Sequence, residues 1–337
     1  MSGYVTVSIG SGLVDSVYGN CQFPIKSYLM KRGEAFEQAS VLSKLFRVVK
    51  SNSFVEGYSG ETAMDDFVDV GEGGDYPRTG FEETFKKFIQ NREFKQSFSV
   101  TQTLVEDKKL GEMKQRANKL ITAYDRTREM HGRYLYAGGI FGTTVKVGDK
   151  VYDCAAADKK PLFATNHPAK VKGEAQSNLY EGAFSADNLG KVETAMQNIK
   201  GDNGELLAMS PDTILIPNDA ALKNVVFSVI GADKDPATAN NAFNYQFGRW
   251  NVIVDPYLTL ALQKLGKGDV KPWILLDSKF IQENDGAIFQ DRVKLTVKSD
   301  IDPNNDNNIW KGRGRFAGGF VDWRFAACGG ITGGTAL

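Results

Sequence analysis

Thr103 to Gly139, TLVEDKKLGEMKQRANKLITAYDRTREMHGRYLYAGG, is the stretch whose reading decides the fold. Apolar or semi-apolar residues fall at Leu110, Met113, Ala117, Leu120, Ile121, Tyr124, His131, Tyr134 and Leu135. Their steps of three and four draw one stripe along a helix. Glu112 with Arg116 and Glu129 with Arg133 stand four apart, acid first, the better order for a solvated face. Thr103 to Glu106 is a possible capping box, Asp107 is a rival cap, and Gly111 makes the later start plausible. Gly138-Gly139 is expected to end the element. About thirty residues at roughly 1.5 Å each make a rod of roughly 45 Å, far longer than an ordinary helix. A rod with one apolar side is a spine on which other elements are laid.

On the N-terminal side of the spine, residues 53–100 change character. The run ETAMDDFVDVGEGGDYPRTG carries Asp65, Asp66, Asp69, Glu72 and Asp75 and breaks at Gly71, Gly73, Gly74 and Pro77. The returning run, FEETFKKFIQNREFKQSFSV, is rich in Phe and bears Lys86, Lys87, Arg92 and Lys95. Phe94, Gln96, Phe98 and Val100 alternate like a strand, while Phe81, Phe85, Phe88 and Ile89 fit a helix equally well. Bounded by a Gly/Pro tip, the pair reads as a long two-stranded excursion. An isolated hairpin is marginal in water, so this one needs a surface to lie on. Further upstream, Pro24 to Val49 has the pattern of one or two amphipathic helices. Met1 to Gly19 is small and polar, an arm that contact with something else would order.

Beyond the spine, Thr143–Val147 is strand-like and LFATNHPAK is a turn segment. SADNLGKVETAMQNI, Ser185 to Ile199, predicts a helix capped at Ser185 or Asp187. DTILIPNDAALKNVV predicts a buried strand, a Pro217-Asn218-Asp219 turn and a helix start. Trp250–Val254 and Trp273–Leu276 read as short strands. Ala287–Val297 and Ile309–Cys328 alternate around an Asp/Asn-rich loop, and GGITGGTAL reads as a flexible tail. There is no internal repeat.

Composition narrows the function. The 337 residues suffice for a large core, and 42% hydrophobic with 24% charged residues is ordinary globular content. Lys plus Arg is 41 and Asp plus Glu is 41, giving a formal charge of zero. That argues against a dedicated nucleic-acid binder and suits a protein packed among like copies. Cys21, Cys154 and Cys328 are odd in number and far apart, so neither a disulfide framework nor a zinc site is expected. The N-terminus lacks the charged lead and apolar core of a signal peptide, and no apolar run is long enough to span a membrane.

Catalytic chemistry finds few handles. His131 lies on the spine stripe and His167 in the TNHP turn, and pairing either with Cys154 has no support from spacing. Gly312-Arg-Gly314-Arg-Phe-Ala317 matches a loose dinucleotide fingerprint, but too little chain follows for the rest of that unit. Alternating arginines on a strand explain it better. Asp302-Pro-Asn304-Asn-Asp306 resembles the opening of a calcium loop yet has Asn307 and Arg313 where Gly and Glu belong. The acidic cluster Asp65–Asp75 is read as solvated or facing a basic neighbour rather than as a metal site. No catalytic residue, metal or cofactor is expected.

The order of these pieces resembles the major capsid proteins of tailed bacteriophages, whose fold is shared with encapsulin shells. The resemblance is carried by DDFVDVGEGGDYPRTGFEETFKKFIQNREFKQSFSVTQ running into the long helix that ends in YAGG. It continues through the SADNL helix, DTILIPNDAALKNVV, FGRWNVIVDPYL, FQDRVKLTVKSD and NNIWKGRGRFAGGFVDWRFAAC, covering about 25 to 330. LFATNHP after the spine is similar to the narrower Mu-like head subunit group. The resemblance implies an α+β capsid fold with an N-terminal arm and helix (1–52), an extended loop reaching over a neighbour (53–100), a peripheral domain built on the spine (101–205 with 286–337) and an axial domain (206–285). It implies a virion protein, made in the host cytoplasm, that self-assembles into pentamers and hexamers enclosing double-stranded DNA; the alternative is an encapsulin-like compartment. Expected subunit contacts pair Asp65, Asp66, Asp69, Glu72 and Asp75 with basic residues such as Lys86, Lys87, Arg92 and Lys95. No long charged leader precedes the arm, so scaffold and protease are expected as separate proteins or as already removed, and the portal as a separate protein. Contact with DNA is expected to be non-specific.

Overall fold

A computed structural model describes residues 5–8, 31–32, 35, 40–61, 67–78, 80, 83–107, 110–231, 244–303 and 307–337. In chain order the first elements are β1 (Val5–Ser8), a single helical turn α1 (Leu42–Leu45), β2 (Arg47–Lys50), β3 (Val55–Glu61), β4 (Glu83–Gln90) and β5 (Arg92–Val100). The short α2 (Gln102–Glu106) precedes the spine α3 (Leu110–Phe141), the hairpin strands β6 (Thr144–Val147) and β7 (Lys150–Asp153), and α4 (Ala186–Gln197). Strands and helices then alternate: β8 (Thr213–Pro217), α5 (Ala220–Ile230), β9 (Asn251–Asp255), α6 (Pro256–Lys264), β10 (Trp273–Leu276) and α7 (Ser278–Glu283). Three strands close the chain: β11 (Ala287–Ile301), β12 (Asn308–Phe320) and β13 (Ala326–Gly329).

The apolar stripe forms the expected helix, with 32 residues in α3. It starts at the later of the two candidate positions, leaving 102–106 as the separate α2. Met113, Ala117, Leu120, Ile121, Tyr124, His131, Tyr134 and Leu135 are all buried, and from Met130 to Ile140 almost nothing of the helix reaches solvent. Gly138-Gly139 does not end it. A Cβ at Gly138 would lie 2.5 Å from Cys154 Sγ, and one at Gly139 would lie 2.7 Å from Leu162 Cβ. The glycines cost helix propensity, about 1 kcal/mol each relative to Ala. In return they let the chain after β7 pack directly on the helix barrel.

The main sheet runs β1-β11-β12-β5, with β2 also pairing parallel to β11. Alternation on β12 sorts its faces. Trp310, Gly312, Gly314 and Phe316 turn toward α3, and Lys311, Arg313 and Arg315 turn away. A Cβ at Gly312 would stand 3.2 Å from Leu120, and one at Gly314 would stand 2.5 Å from the Tyr124 ring. The glycines of GRGRF are thus a track for the spine, as the strand reading required. Phe46, Phe289, Phe316 and Phe320 fill the space between sheet and helix, with Phe46 stacked on Phe320 at 5.8 Å.

Residues 53–100 are not one free excursion. β5 belongs to the main sheet, pairing with β12 from Val100↔Asn308 to Arg92↔Phe316. The free hairpin is β3–β4, in register from Val55↔Gln90 to Glu61↔Glu83. Its root rests on the body through Ile89, which packs with Ile288 and Ala317, and through the Tyr58 hydroxyl on Gln290 Oε1 at 3.0 Å. One residue, Asn91, separates β4 from β5. Its buried amide donates to Ser51 Oγ at 2.8 Å and to the Ser53 carbonyl at 2.9 Å.

The second sheet has the order β13-β10-β8-β9. TILIP and WILL are buried at every position, as runs covered on both faces must be. Each of β8, β9 and β10 feeds a helix whose N-cap is aspartate. Asp219, Asp255 and Asp277 accept from the N–H groups of Leu222, Tyr257 and Phe280 at 2.9, 2.8 and 2.9 Å. Ser185 caps α4 as expected, accepting from Asn188 N–H at 3.2 Å. β13 joins this sheet although it lies beyond 206–285, so Ile309–Cys328 is two strands in two sheets.

Three further expectations change. Within Pro24–Val49 the described residues are 31, 32 and 35, which are helical, and 40–49, which hold the turn α1 and most of the strand β2; the remainder lies outside the described residues. Of the arm, Val5–Ser8 pairs parallel with Leu295–Lys298, and the rest lies outside. The C-terminal GGITGGTAL is not loose. Thr335 and Glu181 exchange backbone bonds with Leu179 and Thr335 at 2.8 and 2.9 Å, and Gly333 N–H donates to Glu181 Oε1 at 2.7 Å.

Candidate functional site

Among the described residues, the acidic excursion is exposed at every position from 67 to 78. Asp65 and Asp66 lie outside the described residues. Asp69, Glu72 and Asp75 are exposed, as are Phe67, Val68, Val70 and Tyr76 beside them. Gly71 and Gly73 take φ of 67° and 81°, left-handed values that suit glycine, and Asp69 Oδ1 accepts from Gly71 N–H at 3.1 Å. Sequence-local turns therefore shape this segment, and all of 67–78 is exposed.

The four basic residues expected opposite those acids have different surroundings. Lys86 is exposed and paired with Glu83 at 2.6 Å. Lys87 is buried at the hairpin root, where Nζ meets Asp153 Oδ2 at 2.7 Å and the Ala155 carbonyl at 2.8 Å. Arg92 donates to the Val151 carbonyl and lies over the Tyr152 ring at 5.1 Å. Lys95 is exposed and shares Glu93 with Arg313. Lys95 first, and then Arg313, hold the Glu93 carboxyl below the usual range.

Lys95 and Arg313 extend into a larger cationic face that the sequence did not reveal. Lys95 is opposite Arg313, which is opposite Thr296; Ser97 is opposite Lys311, which is opposite Lys298. These residues line a shallow depression of about 630 Å³ on the side of the sheet away from α3. Glu93 and Asp300 partly neutralise it, Asp300 pairing with Lys311 at 2.9 Å. Alternate basic residues in separate runs, FKQS, VKSD and WKGRGR, were the available signal, but only the register brings them together.

The histidines sit in the packing. His131 is buried among Phe94, Tyr152, Phe289 and Phe316, and its Nε2 accepts from Gly318 N–H at 3.2 Å. Burial, reinforced by Arg92 and Lys150, pushes it down to about 3, so the ring is neutral. Burial likewise pushes the Cys154 thiol up to about 12, the wrong direction for a nucleophile. His167 is buried between Asp158 and Asn178. Among the described residues no group of three or more His, Cys, Asp or Glu is placed to hold a metal ion. No described helix is long and apolar enough to cross a membrane.

Sequence reasoning missed the buried ion pairs that lock the spine. Arg128 bonds Asp291 at 2.8 Å and Arg133 bonds Asp255 at 2.5 Å. Arg128 occupies the stripe position between Tyr124 and His131, and a charge on an apolar stripe was the legible sign of it. The partners, 163 and 122 residues away, were not legible.

Residues 86–328, more than half of the chain, match the family described as phage capsid protein. No curated protein matches the chain in sequence. Among solved structures, one from Mycobacterium phage Patience is 12% identical and covers 98% of this chain and 93% of its own, with a TM-score of 0.51. The capsid of cyanophage P-SCSP1u is 9% identical, covers 88% of each chain and has a TM-score of 0.52. The capsid of a native GTA particle is 12% identical over 88% of this chain and 90% of its own, with a TM-score of 0.50. At such identities the likeness is one of fold.

Proposed function

The chain belongs to the phage capsid protein family, a structural component of the virion, and from that premise we propose how its copies meet. Subunits assemble into pentamers and hexamers that enclose double-stranded DNA, each extended segment lying over a neighbour. The supporting observation is the segment 67–78, exposed throughout its described length and carrying Tyr76 at 95% exposure. An extended acidic and aromatic segment exposed throughout its described length is unfinished until another molecule covers it.

In this reading Asp65, Asp66, Asp69, Glu72 and Asp75 meet basic residues of the adjoining copy, among them Lys86, Arg92 and Lys95. Electrostatic complementarity sets the register, and apolar Phe67 and Tyr76 supply contact area. Lys87, already used at its own hairpin root, holds the segment's base. The arm is 1–52, the extended loop 53–100, the peripheral domain 101–205 with 286–337, and the axial domain 206–285, with β13 tying the last two. Scaffold, protease and portal are separate proteins, DNA is met without sequence readout, and the chain performs no catalysis. The narrower Mu-like placement rests on LFATNHP following the spine.

Charge reversal tests the contact. Asp65→Lys, Asp66→Lys and Asp69→Lys together should leave a folded subunit by circular dichroism and abolish shells in negative-stain micrographs. Shells of normal size and yield from that variant remove the proposal.

A further inference from the structure

LFATNHP closes on a buried side-chain network. His167 is fully buried; its Nδ1 lies 2.6 Å from Asp158 Oδ2, and its Nε2 lies 3.1 Å from Asn178 Oδ1. The Asn178 carboxamide has one orientation. Its Oδ1 accepts from Ala164 N–H at 2.9 Å, and its Nδ2 donates to the Leu162 and Ala326 carbonyls at 2.9 and 3.0 Å. Flipping it would set an amino group against an N–H and an oxygen against carbonyls. Asn178 therefore offers His167 an acceptor, and Nε2 must carry a proton. Asp158 Oδ1 takes Lys160 N–H at 3.0 Å, and Oδ2 of the same carboxylate is the acceptor that faces Nδ1. A neutral ring would aim the bare lone pair of Nδ1 at a carboxylate oxygen.

We infer that His167 is held as an imidazolium donating from both ring nitrogens, a one-proton clasp that ties Asp158 to Asn178 within the 155–180 segment. Asp158 faces the ring from the turn before LFATNHP. Trp323 stacks on it at 4.2 Å from the C-terminal side, and Arg324 lies over Trp323 at 5.1 Å. Arg324 is itself matched by Asp202 at 2.9 Å and Asp322 at 3.1 Å, so the charge left facing the ring is the Asp158 carboxylate. Asn178 also reaches Ala326, and Leu179 bridges Cys328, which carries the clasp into β13 and the second sheet. Removing the proton exchanges an attractive contact for a repulsive one in a fully buried site.

The chain has only two histidines, so ¹⁵N-histidine labelling of the full-length protein yields two ring systems. At neutral pH His131 should show one protonated nitrogen, Nδ1, and one bare nitrogen, because Nε2 accepts from Gly318. His167 should show two protonated nitrogens. Asp158→Asn keeps an oxygen for Lys160 N–H and gives Nδ1 an amide donor. That variant should convert the second ring to the neutral form protonated at Nε2, with the far-ultraviolet dichroism unchanged. A bare nitrogen on both rings of the unmodified protein overturns the inference, as does a doubly protonated ring that survives Asp158→Asn. Should Asp158→Asn fail to fold, the spectrum of the unmodified protein decides alone.

Discussion

The guanidinium of Arg133 and the carboxylate of Asp255 meet at 2.5 Å with both side chains almost wholly removed from water. Arg133 belongs to the spine and Asp255 caps α6 of the second sheet, so one ion pair spans the two layers. Glu129 adds a second carboxylate to Arg133 at 2.5 Å and itself takes the hydroxyl of Ser40. Burying such a pair costs nearly as much as it returns, but stranding one member is expensive.

Arg133→Met should therefore cost roughly 3–5 kcal/mol, the range for breaking a buried pair. Adding Asp255→Ser, which keeps a capping oxygen while removing one stranded carboxylate, should recover part of that loss. Urea unfolding of the two variants measures both. A double variant no more stable than Arg133→Met would show that the carboxylate and guanidinium are not coupled.

The spine's glycines should respond oppositely to alanine. Gly138→Ala places a methyl 2.5 Å from Cys154 Sγ, an overpacking expected to cost about 1–3 kcal/mol. A Cβ at Gly111 would meet nothing within 4 Å, so alanine there should stabilise by about 0.5–1 kcal/mol through helix propensity. Paired melting curves give the two signs directly.

His131 makes stability fall toward acid. Its folded value of about 3 lies below the ordinary 6.5, so the unfolded chain binds the extra proton between them. The contribution is complete above 6.5 and is lost as pH falls below it, by up to about 1.4 kcal/mol per unit. His131→Gln keeps an acceptor for Gly318 N–H and should flatten the slope between pH 6.5 and 5, where carboxylates titrate little. An unchanged slope in unfolding midpoints would assign the acid sensitivity elsewhere.

Lys87 should control the hairpin locally. Lys87→Met strips the Asp153 and Ala155 bonds at the root, leaving a buried carbonyl unpaired at a cost of about 1–3 kcal/mol. Hydrogen exchange should then quicken in β3 and β4 while β11 and β12 stay protected. Equal quickening everywhere would mean that the lysine supports the whole core instead.

Local chemistry was legible in the sequence, and distant pairing was not. Ser185 and Asp219 cap their helices because capping is decided within four residues, and WILL is buried because a short apolar run has few other uses. Phe81 to Ile89 fitted a helix as well as a strand, and it is the pairing of Glu83–Gln90 with Val55–Glu61 that makes the strand. Gly138-Gly139 looked like a terminus because the pattern of glycines is the same whether a helix stops or is closely approached; Cys154 and Leu162 decide between the two. The acids of 65–75 showed as a segregated run. The fate of Lys87 depended on Asp153, 66 residues downstream, and the cationic face needed three strands in register.

Asn91 gives the hairpin a mechanical character. It is the only residue between a ribbon anchored at one end and a strand bonded along its own whole length to β12, and Ser51 and Ser53 grip its amide. A push on the ribbon reaches the sheet through this peptide and through the 51–54 link to β2, as a lever turns on its fulcrum. Small rotations there would swing the far end of the ribbon through longer arcs, so this asparagine and its serine partners help set where that end lies.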